Sequence, residues 1–500
     1  METVIVDGGP LSPGQVAAVA LGQARATASD GLEEKLRPAR LVVEEAVESE
    51  SVVYGITTGF GALATSHIGK SETETLQYNL IRSHATGVGE PMPDEVVRAM
   101  LLLRARTLAQ GYSGVRPVIV VKLLELLDRG ILPVVPSQGS VGASGDLAPF
   151  AHLALPLIGE GRVRVDGDIV PTSDAGLEPV QLLTKEGLSL LNGTEGMAAM
   201  GAIALHHARN LLAAADAAAA LTLEALLGSA RPFRPEIHAL RPHPGQIASA
   251  ARIARLIEGS PIIASHSDDF DHAVQDAYSL RCAPQVHGAV ADTLDHMERV
   301  LTIEMGSVVD NPIVFADRGE VISGGNFHGE PLAFISDFAT IATSELASIS
   351  ERRTDRMLDP SRSQGLPPFL AANPGVESGY MITQYVQAAL VAENKVLSHP
   401  ASVDTVPTSA GQEDHVSMGW GAARKLLTVI ENVRHVLAVE ILCATQAIGY
   451  RAPLEPAAGT GRLVEAVRET VPPLQGDRSH SADIEAVAAM IESGQIAALT

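Results

Sequence analysis

Cysteine is nearly missing: Cys282 and Cys443 are the only two in 500 residues. That excludes a disulfide-stapled scaffold and a cysteine-rich zinc site, and it fits a reducing compartment. Aromatic residues make up 3% of the chain against 46% hydrophobic residues in all. An interior must therefore be filled by Ala, Leu, Val and Ile, a mixture that favours closely packed helices. Positive charge is scarce as well, 36 Lys and Arg against 59 Asp and Glu, for a formal net charge of -23. A field of that sign repels phosphate backbones and anionic membranes, so neither nucleic acid nor a membrane is expected as a partner. No stretch reads as a membrane span, because the most apolar expected helix, about 211–228, is broken by Asp216 and Glu224. The opening METVIVDGGPLSPG lacks a basic run and does not resemble a secretory leader. A cytoplasmic protein is expected.

Helix signals fill most of what is present. Ser12-Pro13 reads as an N-cap with proline at the first helical position. Ser71-Glu72-Thr73-Glu74 has the capping-box pattern and should open a helix to about Ser83. Further helices are expected at about 94–110 and 117–129, and long ones near 194–228, 268–304, 330–357, 376–397 and 413–447. Asp166-Gly167 between short β-prone runs predicts a hairpin. The fold class is thus mainly α. It divides into an N-terminal region, 1–200, and a long helical bundle, 201–500, whose helices alone would only suggest an oligomer.

Residues 131–161 break the helical pattern, being crowded with Gly, Pro and Ser yet strongly apolar, and should form a buried irregular segment. Buried irregular backbone leaves polar groups to satisfy, and proteins tolerate it where the segment has a function. Its centre is Gly139-Ser140-Val141-Gly142-Ala143-Ser144-Gly145-Asp146. A phosphate loop would need Lys-Ser or Lys-Thr after the last glycine, where Asp146-Leu147 stands. A serine nucleophile elbow would need Gly-x-Ser-x-Gly, and the final glycine is absent. The remaining reading is backbone cyclisation. The amide nitrogen of Gly145, with no side chain at its own Cα, attacks the carbonyl of Ala143; loss of water from the ring, and of the Ser144 hydroxyl as a second water, leaves a methylidene-imidazolone. Such a ring is a strong electrophile.

Gly-Ser-Val-Gly-Ala-Ser-Gly-Asp-Leu-Ala-Pro resembles the signature of the aromatic amino acid ammonia-lyases, whose cofactor is this ring. The resemblance runs in family order through Tyr54-Gly55-Ile56-Thr57-Thr58-Gly59-Phe60-Gly61, Leu191-Asn192-Gly193-Thr194 and Gln275-Asp276-Ala277-Tyr278-Ser279-Leu280-Arg281. It continues through Gly325-Asn326-Phe327-His328-Gly329 and Gln412-Glu413-Asp414-His415. Ser83-His84-Ala85 and Glu413 are similar to the histidine-directed members rather than those acting on phenylalanine or tyrosine. The resemblance implies non-oxidative removal of ammonia from L-histidine to give trans-urocanate, the first step of histidine degradation. The electrophile would be 4-methylidene-imidazol-5-one built from Ala143, Ser144 and Gly145, with no external cofactor and no metal. It also implies a homotetramer with each active site shared between chains. The alternatives are a lyase for tyrosine or a modified histidine, or a 2,3-aminomutase, on the same electrophile.

By the same resemblance Tyr54 is a base in a loop over the ring, and Asn192 and Tyr278 border the ring and the substrate amine. Arg281 holds the α-carboxylate, His84 and Glu413 face the imidazole with Glu413 also open to proton transfer, and Gln275 and Phe327 complete the pocket. Elementary chemistry agrees in places. Gln275, Tyr278 and Arg281 are spaced to form one polar stripe if helical, and an arginine fork matches a carboxylate. A carboxylate suits an imidazole N–H but would be stranded against a phenyl ring. Thr57 and Gly411 depart from the usual family residues, which bears on loop stiffness and pocket volume. The histidines and acids of Ser265–His272, like Glu413-Asp414-His415, could ligate a metal; the former reads better as the acidic first turn of a long helix.

Overall fold

The computed structural model describes residues 1–49, 51–59, 61–63, 68–266 and 274–500. Phe60 and the stretch from Ser267 to His272 lie outside the described residues. Helix dominates, as an alanine-rich, aromatic-poor chain requires, with long helices at Glu195–Ala225, Ala283–Glu304, Glu330–Leu358, Met381–Leu397 and Gly419–Gly449. Three starts fall later than the sequence suggests. Of the helix expected from 268, the described residues 274–282 hold only the single turn Tyr278–Arg281, and the next helix begins at Ala283. The helix expected from 376 begins at Met381, because the backbone N–H groups of Ser378 and Gly379 are taken by Asp477 at 2.8 and 2.9 Å. The helix expected from 413 begins at Gly419, because the preceding residues form part of the site described below.

Glu330–Leu358 is long and apolar enough to cross a membrane by length and composition, which the sequence reading missed. It is nonetheless largely interior. Asp337, Thr340, Thr343, Ser350 and Arg353 are buried along it, and Arg353 grips Glu440 with two bonds of 2.5 and 2.8 Å, to which the Thr222 hydroxyl adds a third at 2.7 Å. Buried charges paired inside protein along one helix mark a core helix rather than a lipid-facing one. Both cysteines are free thiols, Cys443 buried and Cys282 half-buried.

The chain forms two compact units, and neither is continuous in sequence. The first comprises 1–206, 298–336 and 400–424; the second comprises 207–297, 337–399 and 425–500. This departs from the single division at residue 200, since two later segments return to the first unit, where they supply groups to the site. In the first unit the Ser12 hydroxyl and Gln15 side chain form a reciprocal cap on Pro13–Ala20, with bonds of 3.2 and 3.0 Å. The hairpin Arg162–Val165 with Asp168–Pro171 turns through Asp166 and Gly167, both at positive φ. The capping box expected at Ser71 does not form: the helix starts at Thr73, after a tight turn over Lys70–Glu72, and Thr73 is buried with its hydroxyl on the Lys70 carbonyl at 3.0 Å.

Candidate active site

The Gly-rich run of the first unit makes a tight loop that enters the helix Leu147–Ala154, so the segment is less irregular than its composition suggests. Gly142, Ser144 and Gly145 have φ of +72°, +42° and +76°. That is costly for Ser144, which needs the surroundings to hold it there. They do so from several directions. The Asp146 N–H donates to the Gly193 carbonyl at 2.8 Å, and Gly145 bridges Gly193. A Cβ on Gly145 would lie 1.9 Å from that carbonyl oxygen, so only glycine fits. On the other side the Ser417 hydroxyl donates to the Gly142 carbonyl at 3.2 Å and the Met418 N–H to the Val141 carbonyl at 2.8 Å. The Trp420 indole N–H reaches the Ser137 carbonyl at 2.8 Å.

Asp146 is fully buried and anchors the loop to the next element, accepting from the Ser140 hydroxyl at 3.0 Å and from the Met197 N–H at 2.9 Å. Burial pushes its carboxyl up to about 7, against these two donors. Behind Gly193, buried Arg104 donates to the carbonyls of Ser189 and Asn192 at 3.2 and 2.9 Å and to Glu195 at 2.6 Å, with its guanidinium 4.4 Å from the Phe150 ring. Lys185 and Asp310 form a second buried pair at 3.0 Å. A glycine backbone in a forced bend, held from both flanks, fits ring closure over 143–145: no side chain at Gly145 blocks the approach, and the bend is fixed before any bond is made.

The loop faces a cavity of about 620 Å³ lined by Tyr54, His84, Ser144, Asn192 and Glu413 together with Asn79, Ser83, Asn311, Ser409 and several leucines. The Ser144 hydroxyl donates to Glu413 Oε1 at 3.3 Å, while Thr408 donates to Oε2 at 2.6 Å. Ser409, Ala410 and Gly411 all take positive φ, closing the turn that aims Glu413 inward. The Gly411 turn therefore makes good use of the smaller residue noted in the sequence. His84 ends the helix Thr73–His84, its Nδ1 on the Leu80 carbonyl at 2.8 Å, which leaves Nε2 as the acceptor nitrogen. Burial holds its imidazole below the ordinary value, with the Leu80 bond and the Glu413 charge pulling the other way. Asn192 is buried and donates to the Asn311 carbonyl at 3.1 Å. The Tyr54 hydroxyl oxygen accepts from the Gly61 N–H at 3.3 Å. Thr57, the other departure, ties its loop down by bonding Val53 N–H and the Ser51 carbonyl.

Of the residues singled out in the sequence, Tyr54, Ser144, Asn192, His84 and Glu413 line this one cavity. Phe327 is half-buried and is not among its lining residues. Gln275, Tyr278 and Arg281 belong to the second unit. Gln275 precedes the short helix rather than sharing it, so the expected helical stripe is not made. Tyr278 is 71% exposed, with the Arg281 guanidinium 4.6 Å over its ring and the Arg281 Nε–H on the Asp276 carbonyl. Sequence reading did not find Arg104, Lys185, Asp310, Asn311 or Thr408. None sits in a patterned motif, and each acquires its part only through contacts with distant segments.

His328, Glu330 and His415 bring possible metal-ligating atoms within 4.8 Å of one another. His328 has no ring nitrogen to spare, since Nε2 bonds the His415 carbonyl at 3.2 Å and Nδ1 accepts from the Glu330 N–H at 3.4 Å. The cluster is a hydrogen-bonded clasp between two segments.

A sequence profile described as aromatic amino acid lyase matches residues 11–469. The chain is 52% identical over 499 residues to a histidine ammonia-lyase of Gloeobacter violaceus, covering 99% of this chain and 97% of that one. The crystal structure of histidine ammonia-lyase from Trypanosoma cruzi superposes with a TM-score of 0.92 at 41% identity, covering 100% and 95% of the two chains. A tyrosine aminomutase from Streptomyces globisporus superposes with a TM-score of 0.93 at 39% identity, covering 99% and 98%.

Proposed function

The chain belongs to the aromatic amino acid lyase family, and on that footing we propose that it eliminates ammonia from L-histidine to give trans-urocanate, as a cytoplasmic carbon–nitrogen lyase. The observation that carries this reading is the meeting of Ser144, in its forced turn, with Glu413 at 3.3 Å in a cavity that His84 also lines. The fold is shared with a tyrosine aminomutase, so fold alone does not choose the substrate. The polar pair does: the carboxylate matches the N–H of a neutral imidazole, and with the His84 acceptor both N–H groups of a protonated one, whereas the pair would stand desolvated and unpaired against a plain ring.

Ala143, Ser144 and Gly145 would form the methylidene-imidazolone. That group supplies an electrophile that ordinary side chains lack and turns the substrate amine into a better leaving group. The chain's own residues do the rest. Glu413, set by Thr408, and His84, set by Leu80, orient the imidazole. Asn192, whose amide N–H is taken by Asn311, offers its carbonyl oxygen to the substrate amine. Tyr54, with its oxygen held by Gly61, takes the β-proton, and the leucines of the cavity exclude water.

Tyr278, Arg281 and Gln275 act on a neighbouring copy of the chain in a homotetramer. The exposure of Tyr278 supports this, since a large aromatic ring presented to solvent beside a 99% exposed Val274 suits an interface better than a free surface. Arg281 then clamps the α-carboxylate. Arg281→Met is expected to raise KM for L-histidine about thirtyfold with a smaller fall in kcat, the loss of one charge-assisted pair of roughly 2 kcal/mol. An unchanged KM in steady-state assays rules out the carboxylate role.

The test of the whole reading is intact mass of the purified chain together with urocanate absorbance on mixing with L-histidine alone. A mass lower by two waters with growing absorbance is expected. Full mass and no product overturn it, and a β-amino acid product in its place makes the chain an aminomutase.

A further inference from the structure

Gly87 lies three residues beyond His84 and is closely packed. A Cβ there would lie 3.2 Å from His152 Nε2 and 3.3 Å from the Gln138 carbonyl, and a Cβ on Gly139 would lie 3.1 Å from the Gly87 Cα. The next residue, Val88, pairs with Gln138 in the short sheet that leads into the electrophile loop. The Gly87 N–H is donated to His152 Nε2 at 3.0 Å. His152 stands on the helix Leu147–Ala154, which leaves the same loop on its far side. To accept, Nε2 must be unprotonated, so the ring is neutral with its proton on Nδ1, and burial favours that form.

The three residues between His84 and Val88 thus hang between two anchors, both belonging to the electrophile segment. One is the strand pairing before the loop and the other is the imidazole after it. The Thr86 N–H folds back on the His84 carbonyl at 2.8 Å, so a shift at Gly87 passes directly to His84. We infer that His152 is a positioning residue that fixes His84 relative to the electrophile by accepting the Gly87 N–H. The inference rests on the reading that His84 faces the substrate imidazole.

His152→Leu leaves a half-buried N–H without its acceptor, whereas His152→Gln returns an acceptor oxygen of similar reach. For the Leu variant KM for L-histidine should rise about tenfold, with kcat within about threefold of wild type, and Gln should recover most of the loss. Intact mass should show the two-water deficit in both, which separates positioning from a defect in ring formation. In a His84→Ala background the Leu change should have no further effect on KM, since both act through one group. An equal rise in that background, an unchanged KM for His152→Leu, or no rescue by Gln overturns the inference. A wild-type KM for His84→Ala refutes the substrate-facing reading of His84 itself, and this inference with it. Should the Leu variant not fold, deuterium exchange at the Gly87 amide of the wild-type protein decides: slow exchange is expected, and exchange at the open-loop rate overturns the bond.

Discussion

Ser144→Ala is expected to abolish turnover of L-histidine by a factor of about a thousand or more, on the order of 4 kcal/mol of barrier, without unfolding the chain. The hydroxyl is the only source of the methylidene carbon's unsaturation, because its departure as water creates the double bond. Alanine keeps the Cβ and loses only that leaving group. It is no worse than serine at φ +42°, since both carry a Cβ and the strain comes from the Cβ. The 3.3 Å hydrogen bond from Ser144 to Glu413, worth about 1 kcal/mol, belongs to the uncyclised chain and leaves with the hydroxyl in mature wild type too, so its absence costs the variant nothing by comparison. Circular dichroism and thermal melting should therefore be near wild type while activity vanishes. The mass should fall by at most one water, from ring closure alone. Turnover within tenfold of wild type would mean the electrophile is not built from Ser144.

Co-expression sharpens the same experiment. If Tyr278 and Arg281 serve a neighbouring chain, a hybrid of Ser144→Ala with Arg281→Met chains contains some sites with both residues native. Assayed well below the raised KM, the mixture should then be more active than the weighted sum of its parents, and strict additivity would place each site within one chain.

How much of this was legible beforehand depends on how local each signal is. The electrophile loop is written in consecutive residues, so a tight bend there could be read from the motif, and its positive-φ turns followed. Glu413 lies 269 positions from Ser144, and no spacing argument joins them; only resemblance brought them together. Arg104, Lys185 and Asp310 stayed hidden because a buried ion pair looks in sequence like two surface charges. The helix Leu147–Ala154 was obscured by Pro149, yet a proline in the first turn costs no hydrogen bond, since that N–H has no partner within the helix. The box at Ser71 failed for the opposite reason. Burial of Thr73 outweighs a cap worth about 1 kcal/mol, and the helix begins where the core requires it. In each case a tertiary contact decided between local options of similar energy.

Glu413→Gln tests selectivity rather than the electrophile, and its effect should be the next largest. Thr408 holds one carboxylate oxygen at 2.6 Å, and the other, which takes the Ser144 hydroxyl at 3.3 Å before cyclisation, is freed for substrate once that hydroxyl leaves. Glutamine fills the same volume but carries no charge, and one of its ends is a donor. With the Thr408 hydroxyl keeping the remaining oxygen, the amide end turns its N–H donors toward the substrate's own N–H. The loss is a charge-assisted hydrogen bond together with a mismatched donor, about 3 kcal/mol, or roughly a hundredfold in kcat/KM for L-histidine. The comparison that carries meaning is with an aromatic substrate such as L-phenylalanine, whose ring offers no hydrogen-bond donor. Its slow background turnover should be unchanged or raised, since the unpaired carboxylate that opposes it has gone. An equal fall for both substrates would assign Glu413 to proton transfer instead of recognition. An unaffected histidine rate would take away the physical ground for choosing histidine over the other substrates of the family, and leave the choice to His84 alone.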